Sequence, residues 1–140
     1  MAWNPNDNRG KIKNRKRKNQ IVDFSGIRIE NMTPMDVDGI IDLRNKGFII
    51  IELKHRDAVL SRGQKIAYER MVDAIRNGDK ECALFLCEHK VDNPEEDIDA
   101  ASAIVRSYYY QGEWKEEGDV RLVELLNNFT YYVLHKPCER

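Results

Sequence analysis

The feature that most constrains the fold is an apolar run at residues 48–53, FIIIEL, in which β-branched residues predominate. A short apolar run between polar segments is typical of a strand that is buried on both faces of a sheet. Residues 37–43, VDGIIDL, form a second β-branched segment just before it. The four residues between them, RNKG, predict a β-hairpin in which Gly47 supplies a positive φ.

The remaining chain predicts alternating helices and strands. Residues 19–36 predict irregular structure with a short strand around 27–29, and residues 61–78 predict a helix with Ser61 as N-cap and Gly78 at its C-terminal end. Residues 82–88 predict a buried strand, and residues 103–118 a strand whose chain turns back at Gln111 and Gly112. A last helix from about residue 120 carries an apolar stripe and ends at Pro137. The order hairpin, helix, strand, strand, helix predicts an α/β fold with a mixed sheet.

Length and composition predict one domain without a membrane partner. The chain has 140 residues, of which 41% are hydrophobic, enough for a single compact core. No apolar run approaches the roughly 18 residues of a membrane span, and the first residues do not resemble a signal peptide. We therefore expect a cytoplasmic protein. The three cysteines form no metal-binding or paired pattern, so reduced thiols are expected.

The charge is unevenly distributed along the chain. Seven basic residues against one aspartate give residues 1–20 a charge of +6, which leaves −7 on the other 120 residues of a chain whose net charge is −1. Residues 1–18 are predicted to be a mobile basic arm, and residues 19–140 a single domain. The arm is either a solvated tail or a binder of nucleic acid phosphates.

Charged residues converge on the predicted hairpin. A tight turn places Ile40 opposite Glu52 and Asp38 opposite Lys54, so that Asp38, Glu52 and Lys54 share one face of the sheet. Carboxylates at the end of a buried strand must be paired or coordinated. Two interpretations follow, a divalent cation bound through oxygen ligands, as Mg²⁺ prefers, or a structural salt bridge to Lys54.

This pattern resembles a known family. Asp38 is followed by Glu52-Leu53-Lys54 and then by Gln64 and Tyr68 in a Gln-x-x-x-Tyr arrangement. Over about residues 36–90 the chain resembles the PD-(D/E)XK nuclease superfamily and its RecB-like branch. The resemblance implies a restriction-endonuclease-like mixed β-sheet flanked by helices.

The resemblance also implies roles for individual residues. Asp38, Glu52 and the carbonyl of Leu53 would hold Mg²⁺ or Mn²⁺, and Lys54 would be the catalytic lysine. Gln64 and Tyr68 would position substrate or water from the adjacent helix. The rival or additional acids are Asp36, Asp42 and Glu30.

We therefore expect a metal-dependent nuclease that hydrolyses phosphodiester bonds, in DNA more than in RNA, and that forms a homodimer or higher oligomer. The alternatives are a catalytically silent nucleic-acid-binding module on the same scaffold and a plain structural domain.

Several supporting residues have structural alternatives. Ser61 and Gln64 also form a capping-box pattern, and the ring of Tyr68 lies on the apolar stripe of its helix. His55 is expected on the opposite face from Lys54. The basic side chains of Arg56, Arg62 and Lys65 either contact phosphates or form a solvated surface. The aromatic residues either stack on bases or cover the sheet; they are Tyr108, Tyr109, Tyr110 and Trp114.

Overall fold

The computed structural model describes residues 21–137, and the predicted basic arm at residues 1–18 lies outside them. The described residues divide into two units, residues 21–35 and residues 36–137. In the described part of the first unit, Ile29 and Met32 form an isolated antiparallel bridge around a turn in which Glu30 and Asn31 have positive φ. The segment is otherwise irregular, as predicted, and the expected strand at 27–29 is reduced to this bridge.

The second unit contains a five-stranded mixed sheet with the strand order β1-β2-β3-β4-β5. Strands β2 and β3 are parallel, and the other neighbouring pairs are antiparallel. The strands are β1 Gly39–Asp42, β2 Gly47–His55, β3 Glu81–His89, β4 Ile104–Tyr110 and β5 Glu113–Arg121. This arrangement confirms the predicted α/β class.

Two α-helices, α1 Arg62–Asn77 and α2 Leu122–His135, complete the unit, together with a short 3₁₀ helix, Ala100–Ser102. Helix α1 connects the parallel strands β2 and β3, because a parallel pair needs a crossover that returns the chain to the same end of the sheet. Its N-cap is Ser61 and its C-cap is Gly78, as predicted. Among residues 21–137, no helix is long and apolar enough to cross a membrane.

The helices pack on opposite faces of the sheet. Helix α2 contributes Leu122 and Val133 to a core formed with Ile49, Phe85 and Val105. Helix α1 lies over the other face, where three of its side chains form hydrogen bonds with strand side chains that point to that face. These bonds join Tyr68 to Glu52, Asp73 to Tyr109 and Glu69 to Trp114.

The aromatic residues of β4 and β5 pack within this unit. Tyr108 contacts Phe85 with ring centroids 5.8 Å apart, and Tyr110 meets Phe129 edge to face at 5.4 Å. On the other face, Tyr109 contacts Trp114 at 5.3 Å. These contacts agree with the alternative that the aromatic run covers the sheet.

The register of the β1–β2 hairpin differs from the prediction by two residues. Ile40 lies opposite Ile50 rather than Glu52. The turn explains the difference, because Arg44 and Asn45 take the positive φ values and Leu43 lies opposite Gly47 through a 2.8 Å bond from Leu43 N to Gly47 O. The prediction that Gly47 supplies the positive φ is therefore wrong.

The predicted element order also missed one strand. Residues 113–121 form β5, which pairs with β4 across the predicted turn at Gln111 and Gly112. Most of its side chains are exposed, so its sequence lacks the apolar signal of a buried strand. As a result α2 begins at Leu122, two residues later than predicted.

Candidate active site

The predicted site residues meet where β2 extends beyond the start of β1. Strand β1 begins at Gly39, opposite Ile51, so the last four residues of β2 have no β1 partner. Asp38 lies immediately before β1, and its Oδ2 accepts a hydrogen bond of 2.7 Å from the backbone N–H of Leu53. This bond fixes the Asp38 carboxylate beside the Glu52–Lys54 segment, although its predicted position opposite Lys54 is wrong.

Glu52 is the buried carboxylate of the site. The residue is only 5% exposed, and both of its carboxylate oxygens have protein partners. Oε2 accepts a hydrogen bond of 2.5 Å from the Tyr68 hydroxyl, and Oε1 lies 3.4 Å from Lys54 Nζ. A buried carboxylate is tolerated because such partners replace its lost hydration.

Lys54 connects this carboxylate to helix α1. Its Nζ donates to Gln64 Oε1 at 3.4 Å. The same Gln64 oxygen accepts from the backbone N–H of Ser61 at 3.2 Å, and Ser61 Oγ accepts from Gln64 N at 3.1 Å. Gln64 therefore closes a capping box and contacts the candidate catalytic lysine at the same time.

Tyr68 is fully buried, and its ring packs in the core on the α1 face. Its hydroxyl also lies 3.3 Å from the carbonyl oxygen of Asp36. Burial, followed by the hydrogen bond to Glu52, raises the pKa of Tyr68 well above its usual value. The hydroxyl consequently remains a hydrogen-bond donor to Glu52 throughout the physiological pH range.

The rival acids have other roles or positions. Asp42 Oδ1 accepts a hydrogen bond of 2.8 Å from Asn45 N and so supports the hairpin turn. Asp36 contributes its backbone carbonyl to Tyr68. Glu30 lies in the turn of the first unit, not on a helix.

Three oxygen donors are suited to a divalent cation. Among residues 21–137, no group of three or more His, Cys, Asp or Glu side chains is arranged to hold a metal ion. The implied ligand set instead combines the carboxylates of Asp38 and Glu52 with the Leu53 carbonyl. Because N–H and C=O of one strand residue face the same side, the Leu53 carbonyl opens toward the side on which Asp38 bonds its N–H. Carboxylate and carbonyl oxygens are hard donors of the kind that Mg²⁺ and Mn²⁺ prefer.

The sequence did not reveal a second polar cluster that follows Lys54 directly. Asp92 accepts hydrogen bonds from Arg56 Nε at 2.7 Å and Arg56 Nη2 at 2.5 Å, and it lies 2.8 Å from His55 Nε2. The bond from Arg56, and then that from His55, holds the pKa of Asp92 well below its usual range. The one signal that could have indicated this cluster is the pairing of β2 with β3. Because His55 lies opposite His89, the residues that follow β3 lie close to the end of β2.

No protein-family model, curated protein or solved structure matches this chain.

Proposed function

We propose that the protein is a metal-dependent nuclease that hydrolyses phosphodiester bonds, in DNA rather than RNA. The observation that carries this proposal is the convergence of two carboxylates and a lysine at the overhanging end of β2, with Gln64 and Tyr68 bonded to them. We place the fold in the restriction-endonuclease-like class of the PD-(D/E)XK superfamily. A mixed sheet with one helix on each face supports that placement.

The residues of the site would divide the work of hydrolysis. Asp38, Glu52 and the Leu53 carbonyl would hold the cation, which when bound lowers the pKa of water and offsets the charge of the scissile phosphate. Lys54 would orient the attacking water and stabilise the negative charge that develops on the phosphate.

Two residues of helix α1 support these groups. Gln64 holds the lysine through its 3.4 Å bond, and Tyr68 fixes one oxygen of Glu52 through its hydroxyl. Both would therefore position the reacting groups.

One observation favours the second candidate, a nucleic-acid-binding module without catalytic activity. Both oxygens of Glu52 are already bonded within the protein, to Tyr68 and to Lys54. A cation would have to compete with Lys54 for Oε1. If Lys54 keeps this bond, the scaffold would bind nucleic acid without cleaving it.

The test is cleavage of plasmid, linear duplex, single-stranded and branched DNA, and of RNA, in Mg²⁺ or Mn²⁺ and in EDTA. We expect Glu52→Gln and Lys54→Ala each to lower the cleavage rate about a hundredfold or more. The chain offers a matched control in Glu113-Trp114-Lys115, which has the same Glu-x-Lys spacing on exposed β5. Glu113→Gln and Lys115→Ala should leave the rate within about twofold.

Isothermal titration of Mn²⁺ separates the two candidates. If the parent binds metal and cleaves, and Glu52→Gln loses both properties, the nuclease is supported. Metal binding without cleavage on any substrate favours the binding module. Cleavage that survives both site substitutions contradicts the site assignment.

We also propose that the protein forms a homodimer or higher oligomer. Ile40 and Ile41 are exposed on β1, which is an edge strand of the described sheet. An exposed apolar edge is typical of a surface that pairs with another chain. Light scattering on the DNA-free protein that shows only monomer would contradict this.

A further inference from the structure

The contact between Arg56 and Asp92 has the geometry with which proteins bind phosphate. Two nitrogen atoms of the Arg56 guanidinium bond to the two oxygens of the Asp92 carboxylate, and His55 Nε2 approaches Oδ1 from the same cluster. A planar guanidinium recognises carboxylate and phosphate oxygens in the same two-bond manner. Asp92 thus occupies a site that a phosphate group could equally fill.

The position of this site relates it to the candidate active site. Arg56 lies two residues beyond Lys54, immediately after β2. A nucleic acid strand whose scissile phosphate lies at Lys54 would carry its next phosphates along the protein surface. Arg56 lies at the same end of β2 as Lys54, so a strand that crosses this end of the sheet would bring one of these phosphates to it.

The backbone of Arg56 is held by contacts that do not involve Asp92. Its N–H donates to His89 O at 2.8 Å, and its carbonyl accepts from Arg106 Nη1 at 2.9 Å. Arg106 Nη1 also donates to Ala58 O at 2.8 Å, which fixes the loop that follows. Arg56 itself has a φ of 50°, a strained value for a residue with a side chain, of the kind that collects at functional sites.

Asp92, by contrast, lies on an exposed segment between β3 and the 3₁₀ helix. Its side chain is 62% exposed. Exposed ion pairs are individually weak because water and salt screen them. The aspartate can leave without disturbing the backbone that presents Arg56.

We propose that Arg56, with His55, is the binding site for a backbone phosphate of the nucleic acid substrate, and that Asp92 occupies it as an internal competitor until substrate displaces it. This inference rests on the proposed function. It assigns a substrate contact to Arg56 and His55, and an autoinhibitory contact to the ion pair of Arg56 with Asp92.

The test is the affinity of the full-length protein for a fluorescein-labelled DNA duplex, measured by fluorescence anisotropy in EDTA and again in Ca²⁺. We expect Asp92→Asn to lower Kd about threefold to fivefold, because the competitor loses its charge. Arg56→Gln should raise Kd about tenfold and reduce the slope of log K against log salt by about one, as expected for one lost phosphate contact. Asp92→Asn should have no effect when Arg56→Gln is already present.

A matched control is Asp57→Asn, which removes the same charge from the residue next to Arg56. Asp57 acts on Arg56 through its charge but not through a hydrogen bond. We expect it to change Kd by less than about twofold. Equal effects of Asp57→Asn and Asp92→Asn would overturn the inference, as would an unchanged salt slope in Arg56→Gln. Circular dichroism and thermal melts verify that each variant is folded.

The failure of this inference is distinguishable from that of the proposed function. If the parent cleaves DNA while Arg56→Gln and Asp92→Asn bind as the parent does, the phosphate site is overturned and the nuclease stands. If the affinities respond as expected but no cleavage occurs in Mg²⁺ or Mn²⁺, the phosphate site stands and the nuclease is overturned. A parent that neither binds nor cleaves nucleic acid overturns both.

Discussion

Tyr68 and Glu52 form the most buried hydrogen bond of the candidate site. In Tyr68→Phe the ring would still fill the core, but Glu52 Oε2 would lose its donor inside the protein. We expect the free energy of unfolding to fall by about 1–3 kcal/mol, the usual cost of a buried polar atom left without a partner. Urea unfolding measures this. The control is Tyr131→Phe on the exposed side of α2, where Tyr131 is 67% exposed, and equal stabilities of the two variants would contradict the assigned role.

The sequence predicts which residues share a strand better than it predicts how the strands pair. Glu52 and Lys54 share one face because side chains alternate along β2, and a register error of two residues leaves that alternation unchanged. Asp92 could not be predicted in the same way. Its bonds to Arg56 join residues 36 positions apart and depend on the course of an irregular segment.

At the level of single elements, substitutions at the N-terminus of α1 separate two roles of Gln64. This side chain caps the helix and also accepts a hydrogen bond from Lys54. Ser61→Ala removes half of the capping box, whereas Gln64→Ala removes the other half and also the acceptor for Lys54. We expect each variant to lose about 1 kcal/mol of stability. Only Gln64→Ala should reduce the cleavage rate, by about tenfold, if Lys54 acts as proposed.

Thermal melts and cleavage rates on one DNA substrate measure these two effects. Equal cleavage rates in Ser61→Ala and Gln64→Ala would mean that Gln64 acts only as a cap.

The start of strand β2 needs glycine for space rather than for backbone freedom. A Cβ atom on Gly47 would lie 2.5 Å from the backbone oxygen of Glu81 on β3, which is closer than such atoms approach. Gly47→Ala should therefore lower the free energy of unfolding by about 1–3 kcal/mol. Gly63→Ala in the first turn of α1 is the control, since nothing lies within 4 Å of its Cβ position, and alanine there should stabilise the helix by about 0.5 kcal/mol. Denaturant midpoints that move equally would contradict the steric argument.

Elements with an apolar sequence were predicted, and β5, whose side chains are mostly exposed, was not. The segments that form β2, β3 and α1 carry apolar runs or helical spacing that do not depend on distant residues. Strand β5 exists because β4 supplies its hydrogen-bond partners, and an exposed edge strand needs few apolar residues of its own. The hairpin register was predicted incorrectly for a related reason. Arg44 and Asn45, rather than the available Gly47, adopt positive φ in the turn.

For the molecule as a whole, alkaline pH should reduce stability. Cys82 and Cys87 are buried in β3, and burial raises the pKa of each thiol to about 12. Burial, with a bond to Asp73, raises the pKa of Tyr109 to about 12 as well. The folded protein keeps these protons while the unfolded chain loses them near the ordinary thiol and phenol values, so the stabilisation is complete below about pH 8.5 and is lost progressively up to about pH 12.

Urea unfolding at pH 8 and at pH 11 tests this expectation. The variant Cys82→Val/Cys87→Val should show a smaller loss of stability between the two pH values, because the contributions of the two thiols are removed while those of the tyrosines remain. An identical loss in parent and variant would show that the thiols do not contribute. In the parent, thiol reagents at pH 8 should modify Cys82 and Cys87 only after unfolding.

The short span of the candidate site along the chain has a consequence for natural variation. The predicted site residues all lie between Asp38 and Tyr68, on the hairpin and the first half of α1. Strands β4 and β5 and helix α2 supply none of these residues. If the site acts as proposed, selection for chemistry therefore acts on residues 38–68, which also supply core residues such as Ile49, whereas residues 104–135 are under selection chiefly for stability. Among related chains, Asp38, Glu52, Lys54, Gln64 and Tyr68 should therefore vary less than the exposed residues of β5.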